Sequence, residues 1–334
     1  MELQKKIIAI LFGIAFVLIL TNVVIDNFKV KPEKTVKEEV STEQLEKRLN
    51  KALQTYGIKE YWVEKRNFKN SGSDSLKHRF LITLPGDLPH IEVLREFFIL
   101  NNEEDVNVVS HEIKVDLQTV VDVYVNNVEK LKATFTTKTD TLRNYPVLSF
   151  VLTGIENLDE EAREKILSTP YDIGVSVIPS VEGDGIRESC KLYSKPFFVW
   201  LNDNLEEPYL LESDALKSTL TKSIANITSN YSDATGYIID NNSEVFNSVI
   251  FSFLRDSFAG RNSVIYSASR YKKLNSTSIE DLLSRIYFYA RSANPGEKKI
   301  FLIGAENFLN IMEDINKLRK YGYKLKVYPL KEYM

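Results

Sequence analysis

PVLSFVLTGIENLDEEAREKILSTPYDIGVSVIP, residues 146–179, is the stretch whose reading decides the fold. It predicts a strand over 147–152, a polar turn, a short helix over 159–168 and a second strand over 173–178. Both strands are almost continuous apolar runs, which suits strands covered on both faces, so the stretch reads as a βαβ unit of a parallel sheet or barrel. Chemistry in such folds sits at the carboxyl ends of the strands. Here those ends are Thr153-Gly154 and Pro179-Ser180, which offer no obvious catalytic group.

Downstream the same pattern repeats to the end of the chain. Further strands are predicted over 197–201, 236–239, 263–266, 299–303 and 324–328, separated by helices over 185–193, 213–226, 244–258, 279–291 and 307–321. A strand–helix alternation sustained over residues 145–334 fits a seven-stranded β/α barrel or a doubly wound sheet.

Upstream, residues 41–138 read as a small α+β domain. Ser41-Thr42-Glu43-Gln44 is a helix-start signal with Gln44 placed for a capping box, and Leu45, Leu49 and Leu53 follow at helical spacing. Strands over 60–66 and 78–84, a helix over 89–101 and strands over 106–115, 119–125 and 131–137 complete it. The alternation of Val121, Val123 and Val125 predicts helices on one face of an antiparallel sheet, with a ferredoxin-like arrangement as one guess. Residues 138–145 form a polar linker.

Residues 7–24 (IIAILFGIAFVLILTNVV, opening on Ile7 and closing on Val24) carry no charge and follow Lys5 and Lys6. At about 1.5 Å per residue they reach roughly 27 Å, the thickness of a bilayer core. No small-residue cleavage site follows, so the prediction is an uncleaved, single-pass transmembrane anchor within residues 1–25. The lysine pair places the amino terminus in the cytoplasm and the bulk of the chain outside it, although Lys29, Lys31 and Lys34 on the far side oppose that orientation. Residues 26–40 are charged and aperiodic and read as a tether.

A formal net charge of -3, with Lys and Arg spread among nearly equal numbers of acids, excludes nucleic acid as the expected partner. Cys190 is the only cysteine, so an intramolecular disulfide and a cysteine-built zinc cluster are excluded, and a buried inert thiol is expected. The three histidines, His78, His90 and His111, all precede residue 112 and lack ligand-pair spacing, so neither a metal nor any other cofactor is expected.

From residue 145 onward the chain resembles the divergent polysaccharide deacetylases, relatives of the NodB-type carbohydrate esterases. Thr169-Pro170-Tyr171-Asp172-Ile173 through Val177-Ile178-Pro179 is similar to the family's Leu-Pro-x-Pro segment and the proline-ended strand after it. Gly236-Tyr237-Ile238-Ile239-Asp240-Asn241-Asn242-Ser243 falls where the family has Gly-x-Asn-Asn-His-Met-Gly-Ser. Ile303-Gly304-Ala305 stands for Ile-Gly-His, and Tyr328-Pro329-Leu330 resembles the final strand. The resemblance implies a seven-stranded β/α barrel and a divalent metal held by an Asp and two His. This chain departs from that pattern at every matching catalytic position. The paired Asp becomes Thr153 and Gly154, a His falls at Trp200, and the Asn-Asn-His run becomes Ile238, Ile239 and Asp240. The remaining Asp falls at Tyr266, and the last His at Ala305.

No catalytic residues are therefore expected, and Trp200, Tyr237, Asp240 and Tyr266 are the candidate binding residues at the barrel mouth, where aromatic faces stack on sugar rings. The implied role is a membrane-anchored, non-catalytic envelope protein that binds a glycan such as peptidoglycan, or another envelope protein. The alternative is an active carbohydrate esterase or hydrolase with a carboxylate metal site at Asp203, Asp240 and Glu306, all just past strand ends. Asp and Asn at those places also cap helices and make turns.

Overall fold

The computed structural model describes residues 40–67, 76, 78–113, 118–276 and 278–328. The predicted anchor at residues 7–24 and its tether lie outside the described residues, apart from Val40. Among the described residues no helix is long and apolar enough to cross a membrane.

Two sheets, each with its own hydrophobic core, organise the described residues. The first is built from α1 (Thr42–Thr55), β1 (Val63–Asn67), β2 (His78–Pro85), α2 (His90–Leu100), β3 (Val106–Ile113), β4 (Gln118–Val125) and β5 (Val128–Lys138). Helix α1 starts where the sequence says it should: Ser41 Oγ accepts from Gln44 N at 3.2 Å and Ser41 N donates to Gln44 Oε1 at 2.9 Å. Its Leu45, Leu49 and Leu53 are buried with Phe97 of α2 and the Val121–Val123–Val125 face of β4. The expectation of an antiparallel sheet needs correction. The strand order is β1-β2-β5-β4-β3, and β2 runs parallel to β5 in the middle of it. Helix α2 carries the chain from β2 to the far edge, and two successive hairpins then bring β5 back alongside β2. The second hairpin turns on Asn126 and Asn127, both with positive φ, a pair that matches the twist of a two-residue connection. With a single helix between its strands, this unit is not the βαββαβ ferredoxin arrangement.

The second sheet contains β6 (Val147–Thr153), β7 (Gly174–Val177), β8 (Phe197–Leu201), β9 (Gly236–Ile239), β10 (Ile265–Ser267), β11 (Lys272–Leu274), β12 (Lys298–Gly304) and β13 (Lys324–Leu325). All of its pairings are parallel, in the order β10-β9-β8-β7-β6-β12-β11. The sheet curls into a half-barrel that is open between β10 and β11. Strand β11 takes the seventh place, in a segment where the sequence predicts no strand. The predicted last strand shrinks to β13, which pairs with Val147 and Leu148 at the lower end of β6, while β7 meets that strand at Val151 and Leu152.

Helices α3 (Glu160–Leu167), α4 (Val181–Leu192), α5 (Lys217–Asn230), α6 (Glu244–Asn247), α7 (Phe251–Ala259), α8 (Ile279–Ser292) and α9 (Ala305–Tyr321) connect the strands. Asp159, Ser180, Ser243 and Ser278 cap four of them through side-chain oxygens. The helix predicted over 244–258 is in fact two, α6 and α7.

Side-chain parity then divides the half-barrel. Phe150, Leu152, Val175, Val199, Ile239, Phe301 and Ile303 point outward into the core under the helices. Val151, Phe198, Ile238, Tyr266 and Leu302 point inward and form a separate interior cluster.

The two units are joined at the lower face by Arg143. Its Nε donates to Asp87 Oδ2 at 3.0 Å, and its Nη1 donates to Tyr56 O at 3.2 Å and to Lys320 O at 2.7 Å. Lys320 Nζ in turn reaches Glu96 at 3.0 Å.

Candidate functional site at the mouth of the half-barrel

At the carboxyl ends of the strands a cavity of about 220 Å³ is lined by Thr153, Gly154, Glu156, Ser176, Trp200 and Lys273, among others. Each of these reaches it for a local reason. Thr153 ends β6 with inward parity, and Gly154 takes a left-handed turn at φ 72° into the short 3-10 turn that carries Glu156. Trp200 is the second inward residue of β8, two beyond Phe198. Lys273 is the inward residue of β11 and pairs in register with Leu302.

The floor beneath them is apolar: Val151, Phe198, Ile238, Tyr266 and Leu302 are all buried, and Trp200 packs on this cluster from above. Polar groups ring the rim. Lys273 Nζ donates to Asn241 Oδ1 at 3.2 Å and lies 3.9 Å from Asp240 Oδ1. Asp240 Oδ1 also accepts from Asn242 N at 3.1 Å, so the carboxylate holds its own turn together.

Of the residues expected at the mouth, Trp200 lines the cavity, Tyr266 is buried in the floor beneath it, and Asp240 approaches it only through Lys273, 3.9 Å away. Tyr237 requires a correction. It lies between the inward residues Gly236 and Ile238, so strand periodicity turns it out under the helices. There its hydroxyl donates to Tyr231 O at 3.0 Å and its ring meets Phe258 edge-on at 5.2 Å.

The three carboxylates of the alternative site have separate tasks. Asp203 Oδ2 accepts from Glu244 N at 2.9 Å at the start of α6, Asp240 holds its turn, and Glu306 is exposed in the first turn of α9. Among the described residues no three His, Cys, Asp or Glu side chains are grouped so as to hold a metal ion. The histidines are dispersed: His78 meets Asn67, His90 approaches Glu112 and His111 approaches Asp122. Ala305, at the position of the family's last His, is buried in the outer core.

Sequence reasoning missed Lys273, Glu156 and Ser176. Strand β11 is three residues long, too short to display a period, and Glu156 comes from a 3-10 turn whose direction Gly154 sets. Cys190, by contrast, is buried in the outer core as expected, and burial pushes its thiol up to about 12.

No protein-family model matches the sequence, and no curated protein is similar to it. Among solved structures the chain is similar to an uncharacterized protein from Agrobacterium tumefaciens C58, at 9% identity and a TM-score of 0.38 over 57% of this chain and 90% of that one. It is also similar to a CE4 family pseudoenzyme from Bacillus anthracis, at 11% identity and a TM-score of 0.35 over 65% of this chain and 85% of that one. A mutant of a CE4 family pseudoenzyme with restored enzymatic activity gives 11% identity and a TM-score of 0.36 over 65% and 88%.

Proposed function

We propose that this chain is an envelope protein, anchored through residues 7–24 with its bulk outside the cytoplasm, in which a deacetylase-like half-barrel binds a glycan without hydrolysing it. The observation that carries the reading is the mouth itself. Thr153, Gly154 and Trp200 line it above an apolar floor, and the sequence resemblance implies metal ligands at these positions. The chain from residue 112 to residue 334 contains no histidine with which to rebuild such a site. An aromatic platform beside a lysine, a glutamate and a serine is suited to holding a sugar ring by its apolar face and its hydroxyls.

The test uses the full chain purified in detergent. With zinc, cobalt, nickel or manganese added, acetylated chito-oligosaccharides are expected to release no acetate, yet to bind. Trp200→Ala should weaken that binding several-fold, by about 1 kcal/mol, the typical worth of one aromatic contact. Metal-dependent acetate release would overturn the proposal. The anchor is a separate matter, read by whether protease added outside intact cells digests the bulk of the chain.

A further inference from the structure

A larger cavity, of about 590 Å³, lies at the opposite face, under the amino ends of β6, β12 and β13 and against the end of α1. We propose that it is a binding site for a small aromatic carboxylate.

Four tyrosines form part of its walls. Tyr145, on the linker into β6, lies 5.2 Å from Tyr321 and 4.9 Å from Tyr323, ring centre to ring centre, and Tyr287 of α8 forms part of another wall. The volume falls within the range of about 300–1,000 Å³ usual for small-molecule sites, and flat rings are the natural partners of such walls.

Charge selects the rest of the ligand. Arg291 and Lys317 line the cavity, and no carboxylate does. Lys317 already leans on Asp314 at 2.9 Å. Arg291 has no ion pair with the described residues, and its guanidinium lies 5.7 Å from the centre of the Tyr287 ring. A guanidinium offers two parallel donors that match a carboxylate, and a neighbouring ring limits its orientations. A neutral sugar would leave that fork without its matching acceptor, and a metal ion would meet two cations and no anion.

Thr55 of the first unit also lines the cavity, so the ligand would touch both units at once. This site is independent of the mouth and of what binds there.

The experiment titrates the full chain with 4-hydroxybenzoate and with 4-hydroxybenzamide, followed by calorimetry. Saturable binding of one equivalent of the acid is expected, with the amide at least about tenfold weaker, because only the acid forms the charge-assisted pair. Arg291→Met should weaken the acid by a similar factor, Arg291→Lys by less, and Trp200→Ala not at all. Thermal melts check that each variant is folded, and the lysine variant serves if the methionine one is not. Equal affinity for acid and amide, unchanged affinity in a folded Arg291 variant, or no saturable binding would each overturn the proposal.

Discussion

Gly174 shows how one residue sets the interior of the half-barrel. A Cβ there would lie 2.7 Å from Phe198 Cε2, so the ring of β8 occupies the space that a side chain on β7 would need. Gly174→Ala is expected to force Phe198 out of place and to destabilise the fold by about 1–3 kcal/mol, measured by urea unfolding. Lys195 does similar work outside the strands: its buried ammonium donates to Thr169 O at 2.6 Å and to Tyr171 O at 2.9 Å. Replacing it by methionine should cost about 1–3 kcal/mol, because two buried carbonyls lose their donor. Cys190 gives a third check. A thiol raised to about 12 by burial is nearly all protonated at pH 8, so a thiol reagent should modify the chain only as fast as it unfolds. Labelling of the native protein within seconds would contradict that.

Among the elements, α1 was the most legible. Its capping box lies within four consecutive residues and needs nothing from elsewhere, and Ser41→Ala should lower stability by about 1 kcal/mol. The long strands β6 and β12 were equally clear, because apolar runs of that kind fit a strand covered on both faces. The failures fall where length or parity is short of information. Strand β11 has three residues, β13 has two, and Tyr237 faces away from the mouth because its inward neighbours, a glycine and an isoleucine, carry no polarity signal that fixes the register. The parallel pairing of β2 with β5 was hidden as well, since alternation specifies a face and not the neighbour across it.

For the whole molecule, the junction between the two units is a close fit. Gly57 has φ 65°, and a Cβ on it would come within 2.2 Å of Tyr321 O in α9. Left-handed strain and backbone overlap act together here, so Gly57→Ala should cost about 2–4 kcal/mol. Tyrosines at this junction and elsewhere in the fold make stability sensitive to alkali. Burial, then the Glu92 and Glu96 carboxylates, push Tyr56 from 10.0 up to about 12, and burial likewise raises Tyr171, Tyr237 and Tyr323. A phenol raised in the folded state contributes stability that is complete below pH 10 and is lost as the pH rises through its folded value. Unfolding free energy is therefore expected to fall between pH 10 and pH 12, less steeply in Tyr56→Phe, as followed by denaturant titration at several pH values.

The sequence by itself determined the strand and helix alternation, the start of α1 and the isolation of the histidines from the second sheet. These are properties of local spacing and of residue type, which do not depend on what lies across the fold. Only the tertiary structure decided that the sheet stays open between β10 and β11, that Lys273 joins Trp200 at the mouth while Tyr237 leaves it, and that Arg143 and Gly57 tie the two units together around an aromatic cavity. Those outcomes depend on which strand lies beside which and on what packs against a given backbone atom, and residues such as Arg143 and Lys320 that meet there are far apart along the chain.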